Sequence, residues 1–237
     1  MKIIVLSHSD YKEKDAIYDA ISETESLSFK LNHVKSGSSP YLWMNNPMTI
    51  AEIEFGDKRY KYPPVKDAKL LFSPLNDNSD FNYLKSIGVM NEITLSMVEK
   101  SERYLLFKDI EEALNALSKT KQYQLITAIF LARAMKIAGV DLQVDKCVFC
   151  GKTKDIVAFS FEDGGYVCKE CADKTVERTL SSTQMRLIRY LFRTPNYSCQ
   201  KSEDYSINDI LVVIMHLKQY VQDCLGVNVK SIDAFIK

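Results

Sequence analysis

CVFCGKTKDIVAFSFEDGGYVCKEC, residues 147–171, holds four of the chain's six cysteines in two CxxC pairs, with seventeen residues between the pairs. Cys147 and Cys150 form the first pair, Cys168 and Cys171 the second. Two thiolates on one tight turn can grip a metal ion. A second pair, returned by a short hairpin, completes the tetrahedron that Zn²⁺ accepts from sulfur. The linking residues suit a hairpin: Gly151 leaves the first turn, Ile156 to Phe161 reads as a strand, and Gly164-Gly165 turns the chain into Tyr166-Val167. The expected cofactor is one structural Zn²⁺ per chain. Four sulfurs fill its shell and leave no position for substrate or activated water. The other uses of paired cysteines are two disulfides or four core thiols. Cys199 and Cys224 stand alone, the first in a loop and the second on the apolar side of a helix, where a core position is expected.

Working outward, the N-terminal side of this segment is helical in period. Leu106, Ile110, Ala113, Leu114 and Leu117 recur at helix spacing, as do Tyr123, Ile126, Ile129, Phe130 and Ile137, and Gly139 closes the second run. On the C-terminal side, Ser181-Ser-Thr-Gln184 has the form of a capping box and precedes Met185, Ile188, Leu191 and Phe192. Ser206 to Asp209 opens a last helix that Gly226 ends. Residues 1–75 read differently. Lys2 to Ser7 is a β-branched run, and Leu27 to Val34 and Met48 to Phe55 alternate with period two. Gly56-Asp57 reads as a two-residue hairpin turn into Lys58 to Tyr62, closed by Pro63-Pro64. Short strands joined by turns suggest a small barrel or sandwich. The expected class is α+β: a β module over 1–75, then a helical domain over 76–237 with a zinc module inserted at 144–174.

Composition narrows the function. Lys+Arg and Asp+Glu are both 31, so the net charge is zero, and any nucleic-acid contact must rest on local patches. One such patch is the stripe Arg186, Arg189 and Arg193 on the helix after the zinc module, with no acid intervening on that face. It reads either as a solvated amphipathic face or as a phosphate-contacting surface. Gly151-Lys152-Thr153 imitates the end of a phosphate-binding loop, but Lys146 occupies the position of the required first glycine. His8, His33 and His216 lie far apart and show no catalytic spacing, and no constellation for nucleophilic or acid–base chemistry is found. The expectation is a protein that is not an enzyme. The start, MKIIVLSHSDYKEK, has too short an apolar run for a signal peptide, and Leu125 to Met135 is too short to span a membrane and carries Arg133. A cytoplasmic protein with reduced thiols is therefore expected, with no membrane partner.

Five segments resemble the bacterial recombinational repair family RecO, in that family's order. They are IIVLSHSDYKEKD (3–15), LFKDIEEALNAL (106–117), FLARAMKIAGVDLQVDKCVFCG (130–151), AFSFEDGGYVCKEC (158–171) and YVQDCLGVNVKSIDAFIK (220–237). The resemblance implies an N-terminal oligonucleotide-binding (OB) barrel, a helical domain and a zinc ribbon. It implies binding to single- and double-stranded DNA, annealing of complementary strands, and loading of RecA together with RecR. It also implies docking on the C-terminal tail of the single-stranded-DNA-binding protein, and association with the nucleoid. On an OB barrel the candidate DNA contacts are Lys12, Lys14, Lys30, Lys35 and Arg59, with Tyr11 and Tyr41 as stacking partners. Each of these also reads as an ordinary surface charge or a packed barrel residue. For the acidic, apolar tail, the candidate is a groove with Arg133 at its rim, beside Phe130 and Ile137. The segment that carries several basic residues in the family is here LNHVKSGSSPYL (31–42), which keeps Lys35-Ser36 and little other charge. The alternative reading is a zinc-stabilised docking adaptor with weak or no DNA binding.

Overall fold

The computed structural model describes residues 1–35, 39–57, 59–75, 80–172, 180–199 and 204–236. Five antiparallel strands come first: β1 (Lys2–Tyr11), β2 (Asp15–Ile21), β3 (Ser26–Leu31), β4 (Ile50–Phe55) and β5 (Val65–Phe72), in the spatial order β3-β2-β1-β4-β5. The sheet is not a closed barrel. Its edge strands approach through one parallel bridge, Lys30 with Pro64, and a bond from the Lys30 amide to the Pro63 carbonyl at 3.1 Å. The alternating residues behave as their period requires: Tyr18, Phe29, Leu31, Ala51 and Ile53 turn inward with Ile3 and Val5 to form the sheet's own core.

The run Ile3-Ile-Val-Leu6 does not alternate because β1 is buried on both faces. Ile4 and Leu6, with Ile21, Met48 and Ile50, join the core that the helices form. Among the described residues, the expected two-residue turn at Gly56-Asp57 does not join β4 to its partner, which begins only at Val65. The Gly56 amide bonds to the Pro64 carbonyl at 2.8 Å across a longer loop, and Pro63-Pro64 lead into β5 instead of ending it. Both prolines fit there because neither is asked for a ladder donor. Lys58 and Ser36 lie outside the described residues, as do 173 and 174 at the end of the expected zinc module.

Six α-helices follow among the described residues: α1 (Phe81–Met97), α2 (Phe107–Lys119), α3 (Tyr123–Ile137), α4 (Ser182–Arg193), α5 (Ile207–Leu225) and α6 (Ser231–Ile236). The hairpin β6 (Ile156–Ser160) and β7 (Gly165–Cys168) stands between α3 and α4. α3 is apolar nearly all round and is buried accordingly, with α1, α2, α4 and α5 packed about it. The capping box at Ser181 and Gln184 forms, and Gly226 ends α5 in the left-handed conformation that glycine adopts without strain. No helix among the described residues is long and apolar enough to cross a membrane.

Candidate metal centre and basic surfaces

Each cysteine pair is carried on a backbone turn. The Gly151 amide donates to the Cys147 carbonyl at 2.9 Å, and Ala172 to the Cys168 carbonyl at 2.8 Å. Gly151, at φ 75°, takes the left-handed conformation that lets the chain leave the first turn. The ribbon is then fixed to the segment before it: Gln143 bonds to the Gly164 carbonyl at 2.8 Å, and Tyr166 to the Gln143 carbonyl at 3.0 Å. A β-carbon at Gly165 would stand 2.5 Å from the Gln143 carbonyl oxygen, so this close approach requires glycine. On its other side the ribbon is held by Tyr166, whose hydroxyl donates to the Met185 carbonyl at 2.7 Å, and by Phe161, which stacks on His216 at 5.2 Å.

The outcome is four sulfurs within 4.8 Å of one another. Cys150 Sγ and Cys168 Sγ are 3.5 Å apart, far beyond the about 2.05 Å of a disulfide, and all six cysteines are free. A tetrahedral ion with bonds of about 2.3 Å sets its sulfurs about 3.8 Å apart, so the donor set fits one thiophilic metal ion. The thiols respond to one another. Burial opposes ionisation of Cys147, but amides of Cys168, Cys150 and Phe149 donate to its sulfur and bring it down to about 6. Cys171 is pushed up to about 12, first by its contact with Cys150. Four thiolates this close need a cation to ionise together. Cys224, expected in the core, is exposed: the buried stripe of α5 runs through Val221 toward Leu225 and leaves it outside. Cys199 is the buried one, its thiol pushed up to about 11 by burial.

The candidate DNA contacts fall in two places. Lys12, Lys14 and Lys35 gather at the tip of the β1–β2 hairpin, where the Lys35 amide bonds to the Lys14 carbonyl at 3.2 Å. Lys30 lies on the outer side of β3, opposite buried Phe29 and Leu31, and Arg59 is in the β4–β5 loop. Several of these cations already hold a carboxylate: Lys35 binds Asp10 at 2.8 Å, and Arg59 binds Asp57 at 2.5 Å. Tyr41 packs edge-on against Trp43, and the Lys12 ammonium lies over Tyr11.

The arginine stripe on α4 also meets an acid, contrary to its reading as a face without one. Asp145 comes from the stem before the first cysteine, 44 positions from Arg189, and contacts Arg189 at 3.3 Å and also Arg193. Sequence alone gives no sign of this pairing. The tail groove also needs correction. Phe130 is fully buried in the helical core and cannot line a surface. Arg133 points across the helices, donating to the Thr194 carbonyl and lying 3.6 Å from Asp109, which also accepts from Tyr197 at 3.0 Å. Ile137 is half-buried. The histidines stay apart: His8 stacks on Tyr18, His216 on Phe161, and the His33 amide bonds to Asp15.

The family model described as recombination protein O C terminal matches residues 78–227, which spans α1 to α5 and the cysteine cluster. A DNA repair protein RecO of Mycoplasma mycoides subsp. mycoides is 23% identical over 236 residues, covering 95% of this chain and 92% of that one. One from Streptococcus agalactiae serotype V is 22% identical over 234 residues, covering 96% and 90%. One from Halalkalibacterium halodurans is 24% identical over 150 residues, covering 61% and 58%.

Proposed function

The chain belongs to the RecO family of recombination proteins, and on that premise we propose that it is a recombinational DNA repair mediator. In this reading it binds single- and double-stranded DNA, anneals complementary strands and, with RecR, helps load RecA onto DNA coated by the single-stranded-DNA-binding protein. The family match over residues 78–227, joined to relatives alike over nearly the whole chain, is the observation that carries it. The N-terminal sheet is read as a partly open OB barrel: its order, continued through the Lys30–Pro64 bridge, runs β1-β2-β3-β5-β4 and back to β1. The metal is read as one structural Zn²⁺ on Cys147, Cys150, Cys168 and Cys171, which binds the ribbon's two turns together. No catalytic role is part of the proposal. The tail of the single-stranded-DNA-binding protein is assigned to the helical domain, without Phe130.

DNA contact is proposed at the hairpin tip through Lys12, Lys14 and Lys35, along β3 at Lys30, in the β4–β5 loop at Arg59, and on α4 through Arg186, Arg189 and Arg193. A second reading, a docking adaptor with weak DNA binding, is favoured by the carboxylates already bound to Lys35, Arg59, Arg189 and Arg193, and by the zero net charge. Binding to a single-stranded oligonucleotide at two salt concentrations separates them. A mediator loses affinity steeply as salt rises, because phosphate contacts release counterions. Changing Lys30 and Lys35 to glutamate flattens that dependence if the sheet carries the contact. Weak, salt-insensitive binding supports the adaptor.

A further inference from the structure

Asp145 faces two arginines of α4 at once. Its Oδ1 accepts from Arg189 Nε at 3.4 Å and Nη2 at 3.3 Å, while its Oδ2 pairs with Arg193. The carboxylate is held from behind, since the Asp145 amide donates to Gln143 Oε1 at 3.2 Å and Gln143 is itself fixed to the ribbon. Two guanidiniums converging on one carboxylate oxygen pair present the donor geometry that also suits a phosphate. The three side chains are 35% to 59% exposed, so water reaches the pair and another anion can displace the carboxylate cheaply.

Beside this pair a cleft of about 570 Å³ opens between α4 and residues 194–198, with Tyr205 on its wall. Its walls include Arg186, Tyr190 and Tyr205, whose rings lie 5.8 Å apart, and polar Thr194 and Ser198. The volume is in the range of small-ligand sites. Cationic donors and aromatic rings lining one cleft are the two components by which proteins hold unpaired nucleotides.

We propose that this cleft takes an unpaired nucleotide of a single DNA strand, and that Asp145 occupies the phosphate position until a strand displaces it. The inference rests on the DNA-binding reading given above and adds the ligand class and an internal competitor. A duplex does not fit it, because a paired base is held within its own stack and cannot enter a side cleft. Asp145 also lowers the charge that the arginines offer at a distance. A strand replacing a carboxylate releases fewer counterions than one meeting bare arginines, so the competitor weakens both affinity and salt dependence.

The test is fluorescence anisotropy on the full chain, with a labelled oligothymidylate, an abasic strand of equal length and a duplex as probes. Asp145→Asn preserves shape while removing the charge, and should tighten oligothymidylate binding roughly threefold or more at low salt and steepen its salt dependence. Tyr205→Ala should weaken oligothymidylate several-fold and leave the abasic strand unchanged, with Tyr205→Phe behaving as the parent protein. If Asp145→Asn melts like the parent and binds no tighter, Asp145 is not a competitor. If Tyr205→Ala changes oligothymidylate and abasic strand equally, or neither, or weakens the duplex as much as oligothymidylate, the cleft does not hold a base. Arg186→Glu combined with Arg189→Glu examines the underlying reading separately. Unchanged binding there removes α4 from the DNA surface altogether, whereas weakened binding with an inert Asp145→Asn overturns only the competitor.

Discussion

Lys100, just beyond the end of α1, donates its ammonium to Asp19 of β2 at 2.7 Å and to Ser28 of β3 at 3.1 Å. The contact ties the sheet to the helices, and Lys2 with Glu111 makes a second tie between β1 and α2. Burial alone would raise the Asp19 carboxyl, but the Lys100 and Ser28 donors bring it below its ordinary value. A depressed folded value means that the ionised form favours folding. The contribution is full above the unfolded carboxylate value near 3.8 and is lost as pH falls through the lower folded value.

Glu92 behaves in the same sense. Burial raises its carboxyl, but the Ser231 hydroxyl and the Ser231 and Lys230 amides at the start of α6 outweigh it and bring it down. Thermal melts should therefore show a loss of stability as pH falls below about 4.5, smaller in Asp19→Asn and Glu92→Gln than in the parent protein. An acid loss of equal size in both variants would assign the effect to other carboxylates.

Removing the metal should unfold the ribbon and loosen what it holds. Metal binding and local folding are one free-energy event, so a chelator strong enough to strip zinc should lower the melting temperature and release four titratable thiols. Cys168→Ser should purify with well under one zinc per chain and melt earlier. A fully stable, zinc-free Cys168→Ser protein would show that the sulfurs cluster without serving a metal.

The ribbon was legible because its signal is local: two CxxC pairs and a turn fix the geometry whatever surrounds them. The helices were legible for the same reason, with α2 burying each of Leu106's successors Ile110, Ala113, Leu114 and Leu117 as its period requires. Three features were not. The hairpin misread at Gly56 depended on prolines that begin a strand as readily as they end one. The burial of Phe130 follows from four helices packing round α3, which no single helix's period reveals. Asp145 reaches Arg189 and Arg193 only because the ribbon stem lies beside α4, a juxtaposition that exists in space and nowhere in the order of residues.

Arg133 is best understood as a strut. It donates to the Thr194 carbonyl and faces Asp109, whose carboxyl is raised by burial despite help from Tyr197 and Arg133. Arg133→Ala would leave a largely buried acid without its counter-charge and a carbonyl without its donor, at a cost of about 1–3 kcal/mol. Urea denaturation should register this loss, and Arg133→Ala with Asp109→Asn should recover part of it. A variant of full stability that still fails to bind a tail peptide would instead restore Arg133 as a contact residue.

A recombination mediator must bring complementary DNA strands together. The most direct test is annealing of two complementary strands, each coated with the cognate single-stranded-DNA-binding protein and followed by fluorescence quenching as the labels meet. The zinc-loaded protein should speed duplex formation by at least about an order of magnitude over the coated strands alone, and added salt should reduce the effect. Annealing no faster than the uncatalysed rate, from protein that is folded and carries its metal, would contradict the mediator reading.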